Sequence, residues 1–119
     1  MKCLKTLVIL YVLLIIPCVA KSAVIETWEC TAPNESEPRI IAQINEGGKT
    51  GQITVAEIAY DPFVYTGVFF RRWDFGLNES HNSHYNYALI IKSEGKGLYF
   101  DFSEGDTVEP SQRLKCKMR

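Results

Sequence analysis

Cys30 and Cys116 constrain the fold of this 119-residue chain more than any other feature, because they stand near the two ends of what remains once an export leader is set aside. The leader is read from Lys2 and Lys5, the apolar stretch from Leu7 to Ile16, and the small residues Cys18-Val19-Ala20. That order is a basic n-region, an h-region and a cleavage site, with cutting expected after Ala20. The apolar run is about half of the roughly 20 residues that span a bilayer as a helix, so an uncleaved anchor is the alternative rather than the first reading. A lipid anchor through Cys18 is disfavoured by Pro17, which stands where a small residue belongs. Residues 1–20 are therefore expected to be a signal peptide and 21–119 a single exported domain, secreted or periplasmic. Two of the four cysteines leave with the leader, and the remaining pair reads as a disulfide in an oxidising compartment. A bridge requires Cα atoms within about 7 Å, so the first and last segments of the domain must be neighbours.

Between the cysteines, hydrophobic alternation has a period of two, and no long segment has helical periodicity. Strands are expected over Val24–Thr31, Arg39–Glu46, Gln52–Tyr60, Phe63–Phe75, His84–Lys92, Leu98–Phe102 and Gln112–Met118. In the sixth, Leu98, Phe100 and Phe102 are expected to point inward. Glu46-Gly47-Gly48-Lys49-Thr50-Gly51 and Ser93-Glu94-Gly95-Lys96-Gly97 carry turn chemistry, Asp61-Pro62 breaks a strand, and Gly76–Ser83 and Ser103–Ser111 read as loops. About seven antiparallel strands, with the terminal ones linked by a disulfide, predict an all-β fold, a small barrel or sandwich.

Charge narrows the partners. Two of the 13 lysines and arginines lie in the leader, leaving 11 basic against 14 acidic residues, a formal charge of −3 on the domain. A mildly acidic domain is a poor electrostatic match to nucleic acid. Arg113, Lys115, Lys117 and Arg119 nevertheless alternate along the last strand. Such a stripe reads either as a surface for an acidic partner or as a solvated face that discourages edge pairing.

Twelve of the 13 aromatic residues after the leader fall between Tyr60 and Phe102. Phe63, Tyr65, Phe69, Trp73 and Phe75 share one parity, with Arg71 among them. They read as core filling, with a bulge near Phe70 and Arg71 returning the arginines to solvent. The functional alternative is an aromatic cavity or patch in which Arg71 grips an anionic group. The polar loop around Asn78, Glu79, His81, His84 and Tyr85 is a candidate partner-binding loop. Its two histidines match no usual zinc signature, since further Cys or His ligands at recognisable spacing are lacking. No cofactor is expected.

Asn34-Glu35-Ser36 and Asn78-Glu79-Ser80 match the N-glycosylation pattern, which matters only in a eukaryotic secretory pathway. Gly48-Lys49-Thr50 lacks the earlier glycine of a phosphate-binding loop, because position 43 is Gln43. No Gly-x-Ser-x-Gly elbow, His-Glu-x-x-His or free domain cysteine offers a nucleophile, and a pair such as Glu57 and Asp101 would have to converge through the fold to do acid–base work.

With its export signal and widely separated cysteines around strands, the chain resembles small exported β-barrel domains, including periplasmic lysozyme inhibitors. The likeness is architectural, and the Ser-Gly and Trp-Lys-Gly elements of that family are absent. The expected function is a non-catalytic extracytoplasmic protein-binding or inhibitor-like module, with contacts among Arg71, Trp73, Asn78, His81, His84 and Tyr85. Alternatives are a carrier holding a small apolar or anionic ligand in an aromatic interior, and a metal-assisted hydrolase using His81 and His84. Membrane contact is expected only through an uncleaved leader.

Overall fold

The computed structural model describes residues 23–78 and 84–119; the expected leader and His81 lie outside the described residues. Nine strands follow in chain order: β1 (Val24–Thr31), β2 (Ile40–Asn45), β3 (Gly51–Val55), β4 (Ile58–Tyr60), β5 (Phe63–Thr66), β6 (Phe70–Asn78), β7 (His84–Lys92), β8 (Lys96–Asp101) and β9 (Gln112–Met118). They form one antiparallel sheet in the order β4-β3-β2-β1-β9-β8-β7-β6-β5, curled into a half-barrel. The terminal strands therefore pair in the middle of the sheet. Cys30 stands directly opposite Cys116 in the β1–β9 register, and the two form a disulfide with a Cα separation of 4.0 Å.

The edges of the sheet are β4 and β5, which only Asp61-Pro62 separates in the chain. Eight antiparallel steps lie between them across the sheet, so they run in the same direction. They behave as one interrupted strand whose first half pairs with β3 and whose second half pairs with β6. A proline is tolerated at this break because its missing N–H costs no ladder hydrogen bond. The chain thus steps from one edge to the other within two residues and draws the edges together. Contacts across the interior record the curl. The Trp73 indole Nε1–H on β6 donates to the Gln43 carbonyl on β2 at 3.0 Å, the Thr66 hydroxyl donates to the Gly48 carbonyl at 2.8 Å, and the rings of Tyr60 and Phe75 meet at 5.0 Å.

Alternation along the strands fills the concave side. Ile40, Ala42 and Ile44 of β2 meet Ile53 of β3, Val64 of β5, Trp73 and Phe75 of β6, Leu89 and Ile91 of β7, and Leu114 of β9 around the disulfide. Fully burying an aliphatic or aromatic side chain of this kind contributes about 1.5–3 kcal/mol, so this single cluster dominates stability.

Nine strands replace the expected seven because two of the expected strands are hairpins. Ala56 and Glu57 take φ of 50° and 72° between the paired residues Val55 and Ile58. Positive φ at both central positions is the backbone of a two-residue hairpin turn, here without the Asn-Gly or Asp-Gly that announces one in sequence. The run Phe63–Phe75 likewise folds back at Val68 and Phe69, where the Gly67 N–H donates to the Phe70 carbonyl at 2.9 Å. A Cβ on Gly67 would lie 2.3 Å from the Phe70 ring, so glycine lets that ring lie against the turn. The hairpin, not a bulge, resets parity: Val64 faces inward opposite Trp73, while Phe63 and Tyr65 are exposed.

The facing of β8 is also the reverse of the expectation. Gly97 and Tyr99 stand opposite the core residues Ile91 and Leu89, which turns Leu98 and Phe100 to the convex side. The disulfide sets this phase, since a Cβ on Gly97 would lie 2.5 Å from the Cys116 sulfur. Phe100 and Phe102 stack outside with centroids 5.7 Å apart, and Phe100 stands opposite the fully buried Ala88.

Candidate functional site

Strand directions give the half-barrel two ends. One carries the turns at 46–50, 67–69 and 93–95; the other carries the connections at 32–39, 56–57 and 102–111 and the ends of β6 and β7. Of the contact residues expected from the sequence, Arg71 lies at the first end and Asn78, His84 and Tyr85 at the second.

At the turn end, Arg71 does not face an external anion. It lies on the concave side of β6, opposite Thr66, and reaches across to β1. Its Nε and Nη2 donate to the two carboxylate oxygens of Glu26 at 2.9 and 3.0 Å, while Nη1 donates to the carbonyls of Gly67 and Phe70 at 2.9 and 3.2 Å. The Trp28 indole N–H donates to the same carboxylate at 2.9 Å. The Arg71 hydrogen bonds hold the Glu26 carboxyl below its ordinary value against opposing desolvation, with Trp28 adding to the effect, and the carboxylate in turn raises the Arg71 guanidinium. A bidentate, partly buried pair of this kind is geometrically specific. It acts as a clamp that ties the 67–70 turn to β1.

The clamped turn displays apolar side chains. Val68 is 87% exposed, Phe69 76% and Phe70 40%. Trp28, Arg71, Ile91, Lys92 and Ser93 complete a shallow recess beneath them. Sequence parity groups Phe69 with the core aromatics because the turn lacks a recognisable signal; Gly67 is the only cue to it.

At the other end the structure gathers three of the expected contact residues. Asn78, His84 and Tyr85 line an open groove of about 680 Å³ together with Arg72, Asn86 and the segment 102–106. Asn78 and His84 are register partners where β6 and β7 meet, and the Asn78 side-chain amide donates to Asn86 Oδ1 at 3.3 Å. Arg72 belongs to this convex face and pairs with Asp74 at 2.9 Å. Among the described residues, no three His, Cys, Asp or Glu side chains converge as metal ligands.

Trp73 belongs to neither end. It is completely buried, so it supports both surfaces from the core and offers no contact of its own. Tyr60, Phe75, Tyr87 and Tyr99 pack around one another at centroid distances from 5.0 to 6.3 Å and fill the concave side toward the groove end. Burial, with lesser contributions from Tyr87, Asp101 and Tyr60, pushes the Tyr99 hydroxyl up to about 12. Comparison of the chain with protein-family models, curated proteins and solved structures finds no match in any of the three.

Proposed function

We propose that this chain is an exported, non-catalytic protein-binding module whose recognition element is the clamped hairpin tip Val68-Phe69-Phe70. The carrying observation is that two large apolar side chains, Val68 and Phe69, stand almost fully in water on a turn fixed by the four hydrogen bonds of Arg71. Exposed apolar groups held in one geometry lose little conformational entropy on binding, which is how rigid inhibitor-like loops gain affinity. An aromatic anchor that enters a pocket is the usual centre of such an interface. The matching partner is a protein with a concave apolar cleft.

The basic, apolar and small-residue order of the first 20 residues supports export, and the buried disulfide is consistent with an oxidising compartment. The concave side is occupied by Trp73, Phe75 and the tyrosines around them, which favours outward contacts over a carrier's interior site. A second contact face, favoured by the convergence of Asn78, His84 and Tyr85, is the groove at the opposite end.

The test compares wild type with the double variant V68S/F69S in affinity capture from the native exported fraction, followed by titration of the captured protein. Each buried apolar side chain contributes roughly 1.5–3 kcal/mol, so the double variant should bind at least about a hundredfold more weakly. Equal binding by a variant of unchanged thermal midpoint rejects the tip. The double variant Tyr85→Ala/Asn86→Ala tests the groove face in the same assay.

A further inference from the structure

The basic stripe of β9 does not guard an edge. β9 lies in the centre of the sheet, paired with β1 on one side and β8 on the other. Leu114 and Cys116 face the core, so Arg113, Lys115 and Lys117 face outward. The register then adds two residues that the sequence did not connect with them. Lys115 stands opposite Lys96 of β8, and Lys96 stands opposite Lys92 of β7. Three lysines on three adjacent strands thus form a row, which crosses the column Arg113-Lys115-Lys117.

Opposite Cα atoms on antiparallel strands are about 4.5–5.5 Å apart, and alternate residues along a strand about 6.6–6.8 Å. The row is therefore about 10 Å long and the column about 13 Å. All five residues are exposed, and none is in a salt bridge among the described residues. Arg119, the end of the stripe, is instead held by Glu29.

Like charges directly opposite on adjacent strands destabilise a sheet. This row contains two such contacts in succession, in a chain with more carboxylates than basic groups. The connections at the groove end hold many of those carboxylates: Glu35, Glu37, Glu57, Glu104, Asp106 and Glu109. Near the cations themselves, Glu29 stands opposite Lys117 but is taken by Arg119, and Glu94 lies in the turn between Lys92 and Lys96 without an ion pair to either among the described residues.

We propose that the convex face of β7, β8 and β9 binds a linear polyanion, specifically an acidic polysaccharide bearing sulfate or carboxylate groups. Five cations spread in two crossing lines match repeated charges on a polymer better than one small anion, which needs converging donors. The convex curvature gives a flat bilayer a narrow contact, whereas a flexible glycan can follow the column. The choice of polysaccharide over nucleic acid rests on the export reading, but the site does not use Val68, Phe69 or Phe70 and meets the hairpin tip only at Lys92, in the recess beneath it.

The experiment titrates the oxidised domain with heparin fragments and polygalacturonate over a series of salt concentrations, with single-stranded DNA and phosphatidylglycerol vesicles in parallel. For polyanions of nucleic-acid charge density, log K falls with log salt concentration by about 0.7–0.9 per contacting cation, or about 3.5–4.5 for all five. Lys96→Glu should lower the glycan affinity about tenfold or more and reduce that slope by about one. The same substitution should hold or raise the thermal midpoint, because a carboxylate between Lys92 and Lys115 replaces repulsion with attraction. Lys115→Gln provides an independent loss of charge if the first variant folds poorly. V68S/F69S should leave glycan binding unchanged, which separates this surface from the proposed protein contact. The inference is overturned by absence of glycan binding at low salt, by glycan binding indifferent to both lysine substitutions, or by binding confined to DNA or vesicles.

Discussion

Replacing Cys30 and Cys116 together with alanine should remove a large fraction of the stability of this domain, and the size of the loss follows from where the bridge lies. The bridge closes a segment of 86 residues in sequence separation. In the chain-entropy model such a loop lowers the entropy of the unfolded chain by about 15 cal/mol/K, equivalent to about 4.6 kcal/mol at 25 °C. The folded state loses much less, because β1 and β9 keep their ladder from Trp28↔Met118 to Thr31↔Lys115 without the sulfurs. For a domain of this size, that free energy corresponds to a fall in thermal midpoint of roughly 20–35 °C. Urea unfolding of the two proteins provides the assay, with the denaturant slope as a second readout. If the bridge acts on the unfolded chain, its removal should both lower the midpoint and raise the slope, since a freed chain exposes more surface. A loss below about 1.5 kcal/mol with an unchanged slope would refute the loop-closure reasoning.

Acid should weaken the clamp. The Glu26 carboxyl is held below its ordinary value chiefly by Arg71, so its stabilisation is complete above the ordinary carboxylate range and is lost as pH falls through the lowered folded value. Glu26→Gln should flatten the acid limb of a plot of urea midpoint against pH; an unaltered limb contradicts the assignment. At the alkaline side, Tyr99 is pushed up to about 12 from an ordinary value of 10.0, so the stability it contributes is intact below pH 10 and lost as pH rises toward 12. Phenolate absorbance should show a late-titrating component that disappears in Tyr99→Phe. Gly97→Ala should cost about 1–3 kcal/mol by driving a methyl group into the Cys116 sulfur, as measured by equilibrium unfolding, and a neutral effect would mean that β8 can shift.

The terminal pairing is legible because a covalent constraint and a period of two are both written directly in the sequence. Cys30 and Cys116 predict neighbouring first and last strands, and five of the expected strands have close counterparts among the nine observed. The two concealed hairpins are not legible for a local reason. Ala56-Glu57 adopts a backbone normally marked by Asn or Gly, and Val68-Phe69 occupies a turn with residues that ordinarily fill strands. Parity counted through such a turn assigns side chains to the wrong face, which is why Phe63, Tyr65 and Phe69 group with Trp73 in the sequence and part from it in the fold. The partners of Arg71 and Lys115 are hidden for a different reason: Glu26 comes into reach of Arg71 only across the concave interior through the curl of the sheet, and Lys96 meets Lys115 only through strand pairing, and no spacing in the chain encodes either.

The central position of β9 also imposes an order on folding. β1 to β4 and β5 to β8 are two runs of consecutive antiparallel strands, each assembled from contacts close in sequence and linked to each other at the Asp61-Pro62 break, but the ladder between β1 and β8 is not completed until the seven-residue strand β9 enters between them. Contacts of such wide sequence separation form late and slowly. In the exported setting proposed above, a chain emerging from a membrane pore N-terminus first would keep β1 unpaired on one side, and Cys30 unbridged, until β9 had crossed. Completion of the sheet would then report that β9 has crossed.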